Sequence, residues 1–314
     1  MMELAPIVIF SYNRPDHLSK VLDALAKNDL ASESVLYIYC DGAKETASEE
    51  EQDRIRRNRE VAHLAIGFKE LHVIERPTNI GLKDNIIGAV TEIVNSYGRI
   101  ITLEDDVVTS KGFLRYMNDA LEVYKDEDRV MHISSYMWPH RWTLPETFFF
   151  EVPYPGGGWA TWKRAWVHYS DDSEELYNYW KNDWKRFDKF GDNYLSKQLI
   201  ANYQGTMRTW FIKWHAVMLR RNALTLYPRQ SLTNNIGFDD LATNCYATNK
   251  FDVLDLAEYI EVKPCLLKEN WLGANEIYAF YQGRWYNKRR RMAMTRKILR
   301  FLHLCYLNEK FNYG

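Results

Sequence analysis

A chain of 314 residues, 46% of them hydrophobic, has room for one large α/β domain or two small ones with a sizeable core. Forty-one basic and forty-two acidic side chains leave a formal charge of −1, which excludes general nucleic-acid affinity. Cys40, Cys245, Cys265 and Cys305 form no CxxC pair, and no stretch approaches the roughly 20 apolar residues of a membrane span, so the composition points to a soluble protein in a reducing, cytoplasmic setting.

In chain order, residues 7–12 form a short apolar β-rich run closed by Asn13-Arg14-Pro15. This run is too short for a signal peptide. Pro15 opens a helix with Leu18, Val21, Leu22 and Leu25 at helical spacing. A second strand over 35–39 ends in Asp41-Gly42, and a polar helix follows over 48–66. A third strand (71–74) leads through Asn79-Ile80-Gly81 into a helix over 85–97. The fourth strand (99–103) ends in Glu104-Asp105-Asp106, before a helix over 112–124 and a fifth strand over 130–134. Apolar strands without alternation, separated by helices, predict a mostly parallel sheet covered on both faces. The second half reads as irregular and aromatic, with helices near 172–187 and 210–221.

Polar clusters recur at the strand C-terminal ends, where open α/β sheets bind ligands. Three successive acids after a buried strand repel one another unless a cation or hydrogen-bond donors compensate. Mg²⁺ or Mn²⁺, shared between one or two carboxylates and phosphate oxygens, is such a cation. A charged loop before a helix is the plain alternative. Ser11, Asn13 and Arg14 suit a nucleotide base and its phosphates, although a solvated arginine at a loop start is equally ordinary. Asp41 can accept from a pyrimidine N–H or simply form a turn. Asn79 and Lys83 stand where backbone N–H groups meet phosphate, or where a helix is merely capped.

The order Asn13-Arg14-Pro15, Cys40-Asp41-Gly42, Asn79-Ile80-Gly81 and Leu103-Glu104-Asp105-Asp106 resembles that of GT-A fold glycosyltransferases. Glu104-Asp105-Asp106 is similar to the variant DxD motif of the N-acetylglucosaminyltransferase I family. Tyr154-Pro155-Gly156-Gly157-Gly158-Trp159 and the stretch from Leu226-Tyr227-Pro228 to Asn235-Ile236-Gly237 extend the likeness, which also takes in bacterial polysaccharide-assembly glycosyltransferases. The resemblance covers residues 5–245. It implies a nucleotide-sugar donor, a glycan or lipid-linked acceptor, and a cation held directly by Asp106. Glu104 and Asp105 would hold the donor's ribose and sugar, and Arg14 and Asp41 would face the base. Gly157 would let the backbone approach the donor sugar beside Trp159.

The sequence departs from the family at the catalytic base. A carboxylate expected in a Trp-Asp-Asp-Trp segment corresponds either to Asp183, in Trp180-Lys181-Asn182-Asp183-Trp184, or to a place held by Lys213, in Trp210-Phe211-Ile212-Lys213-Trp214. Asp239 is a further base candidate. The expected division is a catalytic domain over 1–275, with a nucleotide-sugar half to residue 135 and an acceptor half to 275, then a basic amphipathic extension over 276–314. From Lys288 onward eight Lys or Arg stand against Glu309, with Ile298, Phe301, Leu302 and Cys305 on one helical face. That pattern suits peripheral contact with an anionic membrane or packing on the domain. Two rival classes remain. A sugar nucleotidyltransferase would carry a glycine-rich loop after the first strand, which Asn13-Arg14-Pro15 does not provide. A non-catalytic carbohydrate-binding protein on the same fold would not need the intact acid triplet.

Overall fold

The computed structural model describes residues 3–189, 193–237, 253 and 255–282. The first half runs β1 (Ile7–Ser11), α1 (Pro15–Leu25), β2 (Val35–Cys40), α2 (Glu49–His63), β3 (Glu70–Glu75), α3 (Gly81–Tyr97), β4 (Arg99–Glu104), β5 (Val107–Thr109), α4 (Phe113–Val123) and β6 (Val130–Ser134). The second half runs β7 (Thr147–Phe150), β8 (Trp159–Trp162), α5 (Lys163–Trp166), α6 (Ser173–Trp180), α7 (Trp184–Phe187), α8 (Tyr194–Tyr203), α9 (Phe211–Arg220), β9 (Leu224–Pro228), β10 (Thr233–Asn235) and α10 (Trp271–Tyr281).

Eight strands form one sheet in the order β3-β2-β1-β4-β8-β6-β9-β7, mostly parallel, with β8 and β7 running against their neighbours. Strand residues alternate between two cores. Val8, Phe10 and Ile100 pack with Ile86, Val90 and Val94 of α3, whereas Ile7, Ile9 and Ile101 pack with Leu18 of α1, Ala62 of α2 and Leu114 of α4. Helices therefore cover both faces, and near-continuous apolar strands are the consequence. The chain winds from β1 outward to β3, then crosses back to lay β4 against the other side of β1. The sheet thus has a topological switch point between β1 and β4, where α/β sheets open a crevice at their carboxyl ends.

Two expectations are corrected here. The second half is not irregular: β7, β8 and β9 extend the same sheet, and β10 pairs with β5 beside the acid loop. Nor does a separate extension begin at residue 276. That boundary falls inside α10, where Ile277 and Phe280 are buried against the main core. The basic stretch from Lys288 lies outside the described residues.

Candidate active site

The carboxyl ends of β1 and β4 bring Arg14 and the acid triplet together. Arg14, the residue before α1, places one Nη2 2.7 Å from Asp105 Oδ1 and 2.9 Å from Asp106 Oδ2. Pro15 at the first helical position fixes the chain as it leaves β1, so the guanidinium is aimed back across the switch point. Burial disfavours the Arg14 charge, but Asp105, Asp106 and Glu104 outweigh it and hold the group firmly cationic. Asp105 is engaged on both oxygens, because Oδ2 accepts from Ser11 Oγ at 3.3 Å and from the Tyr12 N–H at 3.2 Å. Ser11 in turn accepts from Asn58 of α2 at 2.7 Å, and Asn13 donates to Glu51 at 3.3 Å.

Glu104, the last residue of β4, is half-buried. Burial first, and then the neighbouring Asp106 and Asp105, push its carboxyl up to about 8. Asp106 is also raised, chiefly by burial, with Arg14 acting in the opposite direction. Ionising all three acids would leave more negative charge than one guanidinium offsets, and Glu104 accordingly stays largely protonated near neutral pH. Among the described residues no group of three or more His, Cys, Asp or Glu forms a ready cation cage. The donors fit an ion that takes most of its ligands from phosphate and water, with Asp106 as the protein ligand.

A residue that sequence reading did not place in the site completes it. The antiparallel β5–β10 pair carries Asn235 opposite Val107, and Asn235 Nδ2 donates to Asp106 Oδ1 and to the Gly156 carbonyl, each at 3.1 Å. Its own Oδ1 accepts from the Gly237 N–H at 2.8 Å. Gly237 lies so close that an added Cβ would sit 2.0 Å from Asp106 Oδ2 and 2.7 Å from Arg14 Nη1. The signal was present in Asn235-Ile236-Gly237, but only the fold shows which strand it meets.

The other expected ligands of the donor are tied within the protein. Asp41 accepts from the N–H groups of Gly42 (2.9 Å), Ile80 (3.0 Å) and Gly81 (2.9 Å) and from Asn79 Nδ2 (3.0 Å). It clamps the start of α3 to the end of β2. Lys83 Nζ is 2.6 Å from Asp171 Oδ2, and the buried Lys213 meets Asp171 Oδ1 at the same distance. Burial opposes ionisation of Asp171, yet both lysines prevail and lower its pKa, which makes it a poor proton acceptor.

The glycine run and its tryptophan face inward. The Gly157 carbonyl accepts from Ser135 Oγ and Thr233 Oγ1, and a Cβ at Gly157 would meet Tyr136 Cβ at 2.2 Å. Close packing on Tyr136, rather than approach to a sugar, accounts for the missing side chain. Trp159 and Trp210, at 3% and 5% exposure, stack on each other with centroids 5.1 Å apart. Their rings belong to the core under the sheet edge, so the expectation that Trp159 lies beside the donor sugar is corrected.

Asp183 is an exposed cap, accepting from the Arg186 N–H at the start of α7. Arg186 in turn bonds the Leu219 carbonyl and Asn222, at the end of α9 just before β9 begins. Because β9 is parallel to β6, which runs in the same sense as β4, this places Asp183 near the amino edge of the sheet. A strand's length, roughly 15 Å, separates the two edges. As a base for chemistry at Asp106, Asp183 is therefore corrected. Asp239 lies outside the described residues.

No family model and no curated protein matches this chain. Among solved structures it is similar to the S. aureus protein TarS, with 13% identity and a TM-score of 0.29 over 46% of this chain and 23% of TarS. It is also similar to a cytidylyltransferase from Leptospira borgpetersenii serovar Hardjo-bovis, with 10% identity and a TM-score of 0.32 over 59% of this chain and 74% of the other. The chain thus spans less than a quarter of TarS. At such scores neither likeness carries function across.

Proposed function

We propose that the chain is a GT-A type glycosyltransferase. It would move a sugar from a nucleotide-sugar donor, of the UDP-sugar class, to a glycan or lipid-linked acceptor with help from Mn²⁺ or Mg²⁺. One observation carries the reading: Arg14 and the triplet Glu104-Asp105-Asp106 converge at the switch point between β1 and β4. A diphosphate leaving group needs positive charge where its own charge grows, and this is where the chain gathers both a cation and the carboxylates that recruit one.

A bound divalent ion would neutralise the departing diphosphate. Asp106 would hold it, while Asp105, fixed by Ser11 and Tyr12, keeps the loop in register with β1. Arg14 supplies charge that can turn from carboxylate to phosphate, since its planar fork suits both. Asp41 orders the Asn79–Gly81 turn beside this edge and so shapes the pocket by scaffolding.

Calorimetry with UDP, with and without Mn²⁺, tests the reading. The native chain is expected to bind UDP more tightly with Mn²⁺, and Asp106→Asn to lose that increment. Turnover in a screen of nucleotide sugars is expected to fall about 10²–10³-fold in the same variant, the range for loss of one electrostatic stabiliser. An undiminished Mn²⁺ increment in Asp106→Asn would sink the assignment.

A further inference from the structure

We infer that Arg14 is the resting counter-ion of the cation site, and that the donor's diphosphate admits the divalent ion by drawing Arg14 away from Asp106. The inference rests on the proposed function and adds an order of events to it. Its ground is geometric. A single Nη2 contacts Asp105 at 2.7 Å and Asp106 at 2.9 Å, so one guanidinium nitrogen bridges the two carboxylates. The guanidinium is largely buried, with 13% of its side chain exposed. The Gly237 backbone closes over the pair, near enough that a methyl group there would strike both Asp106 Oδ2 and Arg14 Nη1. Asn235 holds the other Asp106 oxygen at 3.1 Å.

With both oxygens of Asp106 engaged and a fixed positive charge against one of them, a free divalent ion meets repulsion on arrival. Phosphate offers Arg14 a bidentate anionic partner in place of the two carboxylates. Once Arg14 turns to the donor, Asp106 Oδ2 is released and the local charge becomes more negative, which favours the ion. Nucleotide and cation then bind cooperatively, and by linkage each raises the other's affinity by the same factor. Arg14 acts here as a positioning residue, through its hold on Asp106.

The test reads cation binding rather than turnover. Free Mn²⁺ is measured by electron paramagnetic resonance in titrations of the full chain, native and Arg14→Gln, with and without UDP. The native chain is expected to bind Mn²⁺ weakly alone and at least tenfold more tightly with UDP. Arg14→Gln is expected to bind Mn²⁺ alone at least tenfold more tightly than the native chain does, with the UDP increment reduced. Equal affinity of the two chains for Mn²⁺ without UDP overturns the inference while leaving the proposed function standing. Absence of Mn²⁺ binding to the native chain even with UDP overturns both. Should Arg14→Gln fail to fold, a native sample with ¹⁵N-labelled arginine decides the question. The Arg14 side-chain resonance is expected to shift with UDP and not with Mg²⁺ alone; a shift with Mg²⁺ alone refutes the inference.

Discussion

The two halves of the molecule share one sheet, with β8 inserted between β4 and β6, but are held together by different forces. At the carboxyl ends of β1, β2 and β4 polar side chains satisfy one another: Arg14 with Asp105 and Asp106, Ser11 with Asp105, Asp41 with Asn79 and the turn N–H groups. In the second half the dominant objects are rings. Trp159 stacks on Trp210 and on His132, and Trp166 and Trp214 pack beside them. The contrast separates two kinds of conspicuous residue. A strand-end acid cluster marks a place where charge is wanted, whereas a run of tryptophans here marks a thick core. Substitutions should divide in the same way, with function lost at the edge and stability lost among the rings.

The largest stability effect is expected for Trp159→Ala. Removing a fully packed indole costs about 3–5 kcal/mol in comparable cores. The urea midpoint should fall accordingly, while UDP affinity of the folded fraction stays within about twofold. Loss of nucleotide affinity without a fall in midpoint would return Trp159 to the donor site and erase the contrast.

The same division explains what was legible in the sequence. The strands around residues 7, 35, 71, 99 and 130 are legible to within two residues, because doubly covered strands are short apolar runs bounded by turn residues. The helix expected over 172–187 is in fact α6 and α7, interrupted where Asp183 caps the second. β7, β8 and β9 are not legible, since aromatic segments such as Thr147-Phe148-Phe149-Phe150 suit a sugar-facing surface and a buried strand equally. Within the site, the acid triplet and Arg14 were legible as residues. That Arg14 pairs with the triplet was not, because the contact crosses from one strand end to its neighbour. Asn235 and Asp171 depend on longer returns of the chain, and local pattern says nothing about them.

A smaller effect should appear on acidification. Burial lowers the pKa of His132, whose Nδ1 accepts from Trp214 Nε1, to about 3, and that of His215 to about 4. Unfolded histidine titrates near 6.5, so below that pH the unfolded chain gains protons that the folded chain refuses. The stability these neutral rings confer is full above about pH 6.5 and declines as pH falls toward the folded values. Each contributes a slope of about 1.4 kcal/mol per pH unit in that window. In chemical denaturation between pH 7.5 and 5, His132→Phe is expected to flatten the dependence by one such increment, even if its stability at pH 7.5 is lower. An unchanged slope would mean that His132 takes up a proton while folded.

The smallest effect is expected at Asp183, the residue that most clearly tells one sheet edge from the other. Its carboxylate caps α7 at the surface, and a lost acidic cap costs about 1 kcal/mol in exposed helices. A general base must come within hydrogen-bond reach of the hydroxyl it deprotonates, directly or through one water. Asp183 is anchored, through Arg186, to the Leu219 carbonyl and Asn222, on the side of the sheet where β9 begins. The acid triplet sits where β4 ends. No side-chain motion spans that separation. Asp183→Ala should therefore lower the melting temperature by a few degrees at most and leave sugar transfer, or donor hydrolysis where no acceptor is known, within about twofold of the native rate. A loss of a hundredfold or more with the fold intact would require the catalytic centre to lie at the amino edge, contrary to the convergence of Arg14 and Asp106 at the carboxyl edge.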